Sequence, residues 1–589
     1  MVPLKRSLSA TSKCPERAFT FGNFSLHADG ALFRGDAEIH LPPKELDALR
    51  LLLAQAGQIV PRKNLKQALW SDVHVTEDSV PKCISSLRER LQPEDCIQTV
   101  YKRGYRISAD VRSHSAVSSE ALPRLAILPF SAEFNVPSYL GSAIADETIS
   151  LLTRDRFSPA LVLARESVFA FAARGLTAQQ VGEALHADLV LTGSLRTLPA
   201  HFRLRAEMIR VADGTQIWVE DLLVPQSRVA GLESELAQRL LARLNNGSLS
   251  LSAAAAPEEF DENDPIRREA HDLFLRGHHE WQTMQRNRMQ DGIQHLMRAI
   301  ELEPSLVSPH VDLANASITQ EFYGFVSPLD AADKVRWAAS AITPSSEGAE
   351  AILPAVGWIK FHVDRDMPGA LRDFAASAHL PHDTSITRLR SMFALSRHRF
   401  AEAIEHLSAA LIADPFSPWL NARLAWAYHL AGDAPKSIEQ IERALELFPG
   451  HECSNLYGSI ILTFNGDTER GLQVAENLTR ISPYVDLAAA VHGYALACAG
   501  RREEAHAILE RLQWISRERF ALSSFTPAIC VALGDRYGAI EALKTAADAH
   551  CPWFFQMLAD PRLEPLHGQT QFTCMQATLA RMEAVAARN

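Results

Sequence analysis

Residues 79–107 read SVPKCISSLRERLQPEDCIQTVYKRGYRI, and this stretch decides what the N-terminal part of the chain can be. Val80, Cys83, Ile84, Leu87 and Leu91 recur at i, i+3, i+4, i+7 and i+11, the single apolar stripe of a helix from Ser79 to Leu91. The opposite face carries Lys82, Ser85, Ser86, Arg88, Glu89 and Arg90. Beyond the helix, Ile97–Tyr101 and Tyr105–Ile107 predict a hairpin whose tip is Lys102-Arg103-Gly104. Upstream, Phe19–Leu26 and Ala37–Leu41 predict short strands around an Asp29-Gly30 turn. Pro43–Ala56, with Leu46, Leu49 and Leu53 on one face, and Arg62–Trp70 predict two further helices. A helix with small polar and basic residues outward, followed by a basic hairpin, suits a DNA duplex. The helix matches the major groove, where base edges distinguish all four pairs. Arg88 and Arg90 can donate to phosphate or guanine, and Ser85 and Ser86 leave room for close approach. The same charges also suit a solvated face, so charge alone leaves both readings open.

Composition frames this head. The chain has 589 residues, 47% hydrophobic and 22% charged, the profile of several globular units rather than a disordered chain. Net charge is −11, which argues against generalised polyanion binding. Residues 1–110 nonetheless hold 16 Lys and Arg against 13 Asp and Glu, a slightly basic head on an acidic body. The eight cysteines include no C-x-x-C pair, so neither a zinc knuckle nor a disulfide framework is expected, and reduced thiols point to a cytoplasmic protein. The longest weakly charged apolar stretch, Leu487–Gly500, is too short to span a bilayer, and the N-terminus lacks the apolar core of a secretory signal. No membrane partner is expected.

Two breaks divide the chain. Residues 111–123 are Ser-rich and aperiodic, and Asn245–Pro265 mixes turn formers, alanines and acids. The resulting parts are 19–110, 124–244 and 266–589. In the last, Gly432, Gly466, Gly500 and Gly534 are 34 residues apart, as are Pro415, Pro449 and Pro483. Leu407, Ile441, Ala475 and Leu509 keep the same phase, as do Ala410, Ala444 and Leu478. A 34-residue period is that of antiparallel helix pairs stacked into a solenoid, with glycine where a turn needs φ > 0 and proline ending the second helix. The middle part predicts a small α/β domain. Leu125–Phe130, Ala160–Ala164, Leu189–Thr192, Phe202–Met208 and Gln216–Leu222 read as strands. Ser138–Arg154, a helix opened by a Thr177-x-x-Gln180 capping box, and a helix through Leu232, Leu236 and Leu240 complete it.

The string PPKELDALRLLLAQAGQIVPRKNLKQALWSD, with EDSVPKCISSLRERL and IQTVYKRGYRI after it, resembles the winged helix-turn-helix domain of the OmpR/PhoB type. That resemblance implies a third helix reading the major groove and a hairpin serving as the wing. Carried onto this chain, it implicates Lys82, Ser85, Ser86, Arg88 and Arg90 in the helix and Lys102, Arg103 and Tyr105 in the wing. It also implies that the Trp70–Thr76 loop meets RNA polymerase. Pro81 stands where relatives often carry a polar residue, and the 18 residues before Phe19 leave no room for a receiver domain. The stretch Leu424, Ala425, Tyr428, Gly432, Ile441, Ala444 and Pro449 resembles the tetratricopeptide consensus, with Asn421 in place of its tryptophan. LAILPF, LVLTGSLR and DGTQIWVE resemble a TolB-amino-terminal-like module. The whole layout is similar to HilA-type bacterial transcriptional regulators, which implies activation of type III secretion or virulence genes.

Enzymatic chemistry lacks its starting residues. No G-x-x-x-x-G-K-[ST], G-x-G-x-x-G or G-x-S-x-G motif occurs, and His278-His279-Glu280 lacks the spacing of a metal helix. The expectation is no catalytic residue, no metal and no cofactor. His278 and His279 are expected as solvated side chains, Gly193-Ser194 as a strand-end turn, and Trp553-Phe554-Phe555 as packing for a terminal repeat. The repeats are expected to bind a protein partner or a second copy. Two alternatives remain open: an interaction scaffold or chaperone whose head reads no DNA, and a small-molecule sensor acting through residues 124–244.

Overall fold

The computed structural model describes all residues except 1–17, 22–23, 27–31, 35–36, 40, 55, 57–58, 70–78, 93–95, 101–102, 108–110, 115–121, 134, 155–157, 226–230, 245–263, 284–285, 344–345, 347, 379, 381–383, 484 and 589. Two compact units result, Met1–Ala121 and Leu122–Asn589.

In the first unit, β1 (Ala18–Phe21), β2 (Phe24–Leu26), β3 (Leu32–Arg34) and β4 (Ala37–Ile39) pair antiparallel in sequence order. Three helices follow: α1 (Pro43–Ala54), α2 (Arg62–Leu69) and α3 (Ser79–Arg90). The hairpin β5 (Ile97–Val100) and β6 (Gly104–Ile107) comes next, and β7 (Val111–His114) returns to pair with β1. The sheet thus takes in four residues of the segment read as a linker. The apolar stripe of α3 lies where its period puts it, with Val80, Ile84, Leu87 and Leu91 buried against Leu49, Leu52 and Ile97.

The second unit begins with β8 (Arg124–Ile127), β9 (Ser131–Ala132), α4 (Leu140–Arg154), β10 (Leu161–Val162), α5 (Arg165–Ala172) and α6 (Ala178–Ala184). It continues through β11 (Leu189–Thr197), β12 (His201–Arg210), β13 (Gln216–Pro225) and α7 (Leu232–Leu244). The sheet order is β10-β8-β11-β12-β13, parallel on the β10 side and antiparallel from β11 to β13. Alternation along the central strands serves two cores. Leu125, Ile127 and Leu191 join α4 and α7, whereas Ala126 and Val190 join α5 and α6. The Thr177–Gln180 capping box is present, with both reciprocal bonds made. Helix α5 was not anticipated, and Gly193-Ser194 lies inside β11 rather than at its end.

Helical hairpins then run from Pro265–Trp281 with Arg286–Leu302 to Thr526–Leu533 with Arg536–Asp548. Gly432, Gly466, Gly500 and Gly534 have φ of +77°, +96°, +80° and +86° at the turns inside successive hairpins. The phase extends one period each way, to His398 at +59° and Gly568 at +86°. The Asp433 and Gly432 amides donate back to the Tyr428 and His429 carbonyls, a Schellman closure that needs the left-handed residue. Asp433 then caps the next helix by accepting from the Lys436 amide, as Asp467 does for Arg470 and Asp535 for Gly538. Asn421, the departure from the consensus, is buried and donates to the carbonyls of Pro415 at 3.2 Å and Ser417 at 2.7 Å. Asn455, 34 residues later, makes the equivalent pair with Pro449 and His451. In both repeats the amide side chain ties the start of its helix to the preceding turn.

The α/β part and the solenoid share one continuous core. Phe171 of α5 meets Phe416 at 5.5 Å and Phe448 at 5.8 Å, the residues beside Pro415 and Pro449. Tyr139 donates to Asp272 of the first solenoid helix at 2.8 Å. His278 of that helix, expected from the sequence as a solvated side chain, is not one. It is buried between Asp146 of α4 at 2.9 Å and Asp312 of the second hairpin at 2.5 Å, and Arg165 also binds Asp146 at 2.6 Å. Burial alone would lower the His278 pKa, but Asp312 and Asp146 outweigh it and hold the value well above the ordinary histidine range. Among the described residues no cluster of three His, Cys, Asp or Glu side chains is placed to hold a metal ion. Nor, among them, is any helix long and apolar enough to cross a membrane.

Candidate nucleic-acid interface

The outer face of α3 is arranged by a carboxylate that sequence reasoning missed. Glu45, in the first turn of α1, is 8% exposed and lies under α3. It accepts from the Ser86 hydroxyl at 2.7 Å and pairs with Arg90 Nε at 2.9 Å. An acidic residue in a helix's first turn ordinarily signals no more than dipole complementarity, which is why the pattern alone did not mark it. Arg88 is also committed. Its Nε and Nη2 donate to the Ile97 carbonyl at 3.0 and 2.6 Å, and Nη2 reaches Thr99 Oγ1 at 2.7 Å. These bonds fix α3 to the wing. Lys82 and Ser85 are exposed on α3, and Arg103 is exposed at the wing tip. Lys102 and the Trp70–Thr76 loop lie outside the described residues.

Tyr105 is not on the surface of the wing, contrary to what the resemblance implies. It is 3% exposed, because β6 turns its side chain into the core, so it anchors the wing instead of offering a surface to a duplex. Its backbone exchanges two hydrogen bonds with Val60, at 2.8 and 3.0 Å, which ties the wing to the residues before α2. Gly104 makes that approach possible. At φ +147° it lies so close to Val60 that a Cβ would sit 2.0 Å from the Val60 carbonyl oxygen. Arg62, exposed at the start of α2, lies over the Tyr105 ring at 5.7 Å. Cys83, on the inward flank of α3, is inert: burial, then Glu45 and Asp47, pushes its thiol up to about 11. The described part of the site therefore presents Lys82, Ser85 and Arg103 outward on a framework held by Glu45, Ser86, Arg88, Arg90 and Tyr105.

Residues 36–107 match the family described as "Transcriptional regulatory protein, C terminal", and residues 394–460 match the tetratricopeptide repeat. Transcriptional regulator HilA of Salmonella typhimurium is 24% identical over 430 residues, 71% of this chain and 74% of that protein. A putative adenylate cyclase 3 of Rhizobium meliloti is 25% identical over 202 residues, 34% of this chain and 33% of that protein. Among solved structures, the DNA-binding domain of E. coli CadC aligns over its whole length and 17% of this chain, with 26% identity and a TM-score of 0.16. The chain thus carries a DNA-binding head of the OmpR/PhoB transcriptional-regulator type on a body with tetratricopeptide repeats, and over most of its length it is similar to the transcriptional regulator HilA.

Proposed function

We propose that the protein is a sequence-specific transcription activator that acts without catalysis in the cytoplasm. The supporting observation is the outward set Lys82, Ser85 and Arg103 on a rigidly braced α3 and wing. Helix α3 enters the major groove, where Lys82 and Ser85 meet bases or phosphates, and Arg103, with Lys102, meets the backbone beside it. Arg88 and Arg90, bound to the wing and to Glu45, keep the helix at the correct angle. The 19–110 segment reads DNA, 124–244 braces the body, and 266–589 binds protein. The Trp70–Thr76 loop recruits RNA polymerase, and the genes controlled are of the secretion or virulence class that the HilA resemblance implies.

The test is a band shift with the full chain across about 50–200 mM salt, wild type against Lys82→Ala with Arg103→Ala. Each lost phosphate contact lowers the log–log salt slope by about 0.9. Unchanged affinity and slope in the double variant overturn the groove assignment. Crosslinked chromosomal occupancy then names the regulated promoters.

A further inference from the structure

The inner face of a helical solenoid is where an extended segment is ordinarily received, and in this protein it is already occupied. Residues 551–566 pack on the last hairpin but do not stop there. They run along the inside of the array and touch hairpins far apart in sequence. Trp553 is fully buried, with its ring centroid 4.0 Å from Phe322 and 6.3 Å from Tyr457. Its Nε1 donates to the Phe322 carbonyl at 3.0 Å. The guanidinium of Arg423, itself fully buried, lies 5.3 Å from the same ring. Phe555 packs on Phe361 at 5.1 Å, and its carbonyl is hydrogen-bonded to His398 Nε2 at 2.8 Å. Gln556 accepts from Trp426 Nε1 at 3.1 Å and donates to Ser396 at 3.2 Å. Farther on, helix Thr570–Ala586 returns to the fourth hairpin, where Arg397 binds Glu583 through two bonds of 2.6 and 3.1 Å.

This arm leaves the last hairpin through a strained joint. Helix Arg536–Asp548 closes with the Cys551 and His550 amides donating to the Ala546 and Ala547 carbonyls, the same Schellman pattern as the in-phase turns. The left-handed position is His550, at φ +50°, where four of those turns use glycine. A β-carbon in that conformation costs on the order of 1 kcal/mol, and opening the joint releases it. A short joint under strain beside a large, self-contained contact is the arrangement that exchanges between copies.

We propose that residues 551–589 are an exchangeable arm and that the occupant which fits this groove, besides the chain's own arm, is the arm of a second copy. A foreign segment would have to replace Trp553, Phe554, Phe555, Met557, Leu558, Leu563 and Leu566 together, all 3% exposed or less. An identical arm replaces them without loss, so the exchanged dimer keeps every groove contact and is two-fold symmetric. The linked arm has an effective concentration of roughly millimolar order, which favours the closed monomer in dilute solution. The dimer gains with concentration. The proposal does not rest on DNA reading and is tested without DNA.

Two full-length chains with distinct tags, one Arg397→Cys and one Glu583→Cys, are mixed over a hundredfold concentration range and oxidised. Both carry Cys14→Ser, Cys498→Ser and Cys574→Ser, which removes Cys14 and the two thiols exposed among the described residues. Within one chain neither can form the bond, so a covalent heterodimer reports arm exchange. The doubly substituted chain shows that the pair can close. Expected are a heterodimer that rises with concentration, a several-fold rise when Ala549 and His550 are deleted, and a fall in His550→Gly. Sedimentation velocity of the wild-type chain is the second readout. A wild type that stays monomeric throughout, or a doubly substituted chain that closes while the mixture never does, overturns the proposal.

Discussion

Arginine and lysine serve opposite ends in the two units. On the head, Lys82 and Arg103 face solvent, where a cation keeps its hydration and waits for an anion. Inside the solenoid, Arg423 has no exposure at all and is answered by the rings of Phe322, Tyr457 and Trp553 and by the Tyr457 hydroxyl. A cation left outside is available to a partner. One enclosed by aromatic rings has had its partner supplied by the fold. The head is therefore read for recognition and the inner face of the body for self-assembly.

Substitutions can break or sharpen that contrast. The largest effect is expected from Trp553→Ala, which empties a fully buried site and leaves Arg423 without one of its rings. Denaturant unfolding should show the body destabilised by about 3–5 kcal/mol. Gly104→Ala comes next. Its Cβ would meet the Val60 carbonyl, so the wing must shift, with a cost above about 1 kcal/mol and weaker DNA binding in the same variant. Glu45→Ala removes the acceptor of the Ser86 hydroxyl and one partner of Arg90, and the head should lose about 1–2 kcal/mol by thermal melting. If its melting is unchanged, the brace under α3 is not structural.

A further effect is a pH slope in the body. Burial, and then the neighbouring Glu166, pushes the Asp414 carboxyl up to about 8, against a relieving bond from Ser167. An unfolded aspartate titrates near about 3.9, so between these values the folded state holds a proton the unfolded chain has given up. The stabilisation is complete below about pH 4 and declines as pH rises toward 8. Asp414→Asn keeps a neutral group there and should flatten that decline in pH-dependent unfolding. A slope identical to wild type would place the titrating group elsewhere.

Much of this architecture was legible because periodicity reports burial. The α3 stripe, the wing strands and the 34-residue glycine phase all announced a face or a backbone requirement. What burial is directed against was not legible. Nothing local tells that Phe171 meets Phe416, or that His278 sits between two carboxylates contributed from 132 residues before and 34 after. Helix α5 escaped notice because RESVFAFA is short and its apolar Val168, Phe169 and Phe171 are equally at home in a strand. His398 hid the fifth in-phase turn because its residue type does not advertise a positive φ. In the candidate site, Lys82, Ser85 and Arg103 emerged where patterning put them, whereas Tyr105 turned inward because its neighbour Gly104 brings the strand against Val60.

A free-standing repeat array behaves as a one-dimensional spring, able to stretch, fray and unzip hairpin by hairpin. The contacts from α4 to the first solenoid helix and from α5 to the turns beside Pro415 and Pro449 stitch points roughly half the array apart onto one small rigid plate. The spring is thereby turned into a truss: elastic extension of the first five hairpins is blocked, and strain applied at one of them is carried to the others through the plate rather than along the coil.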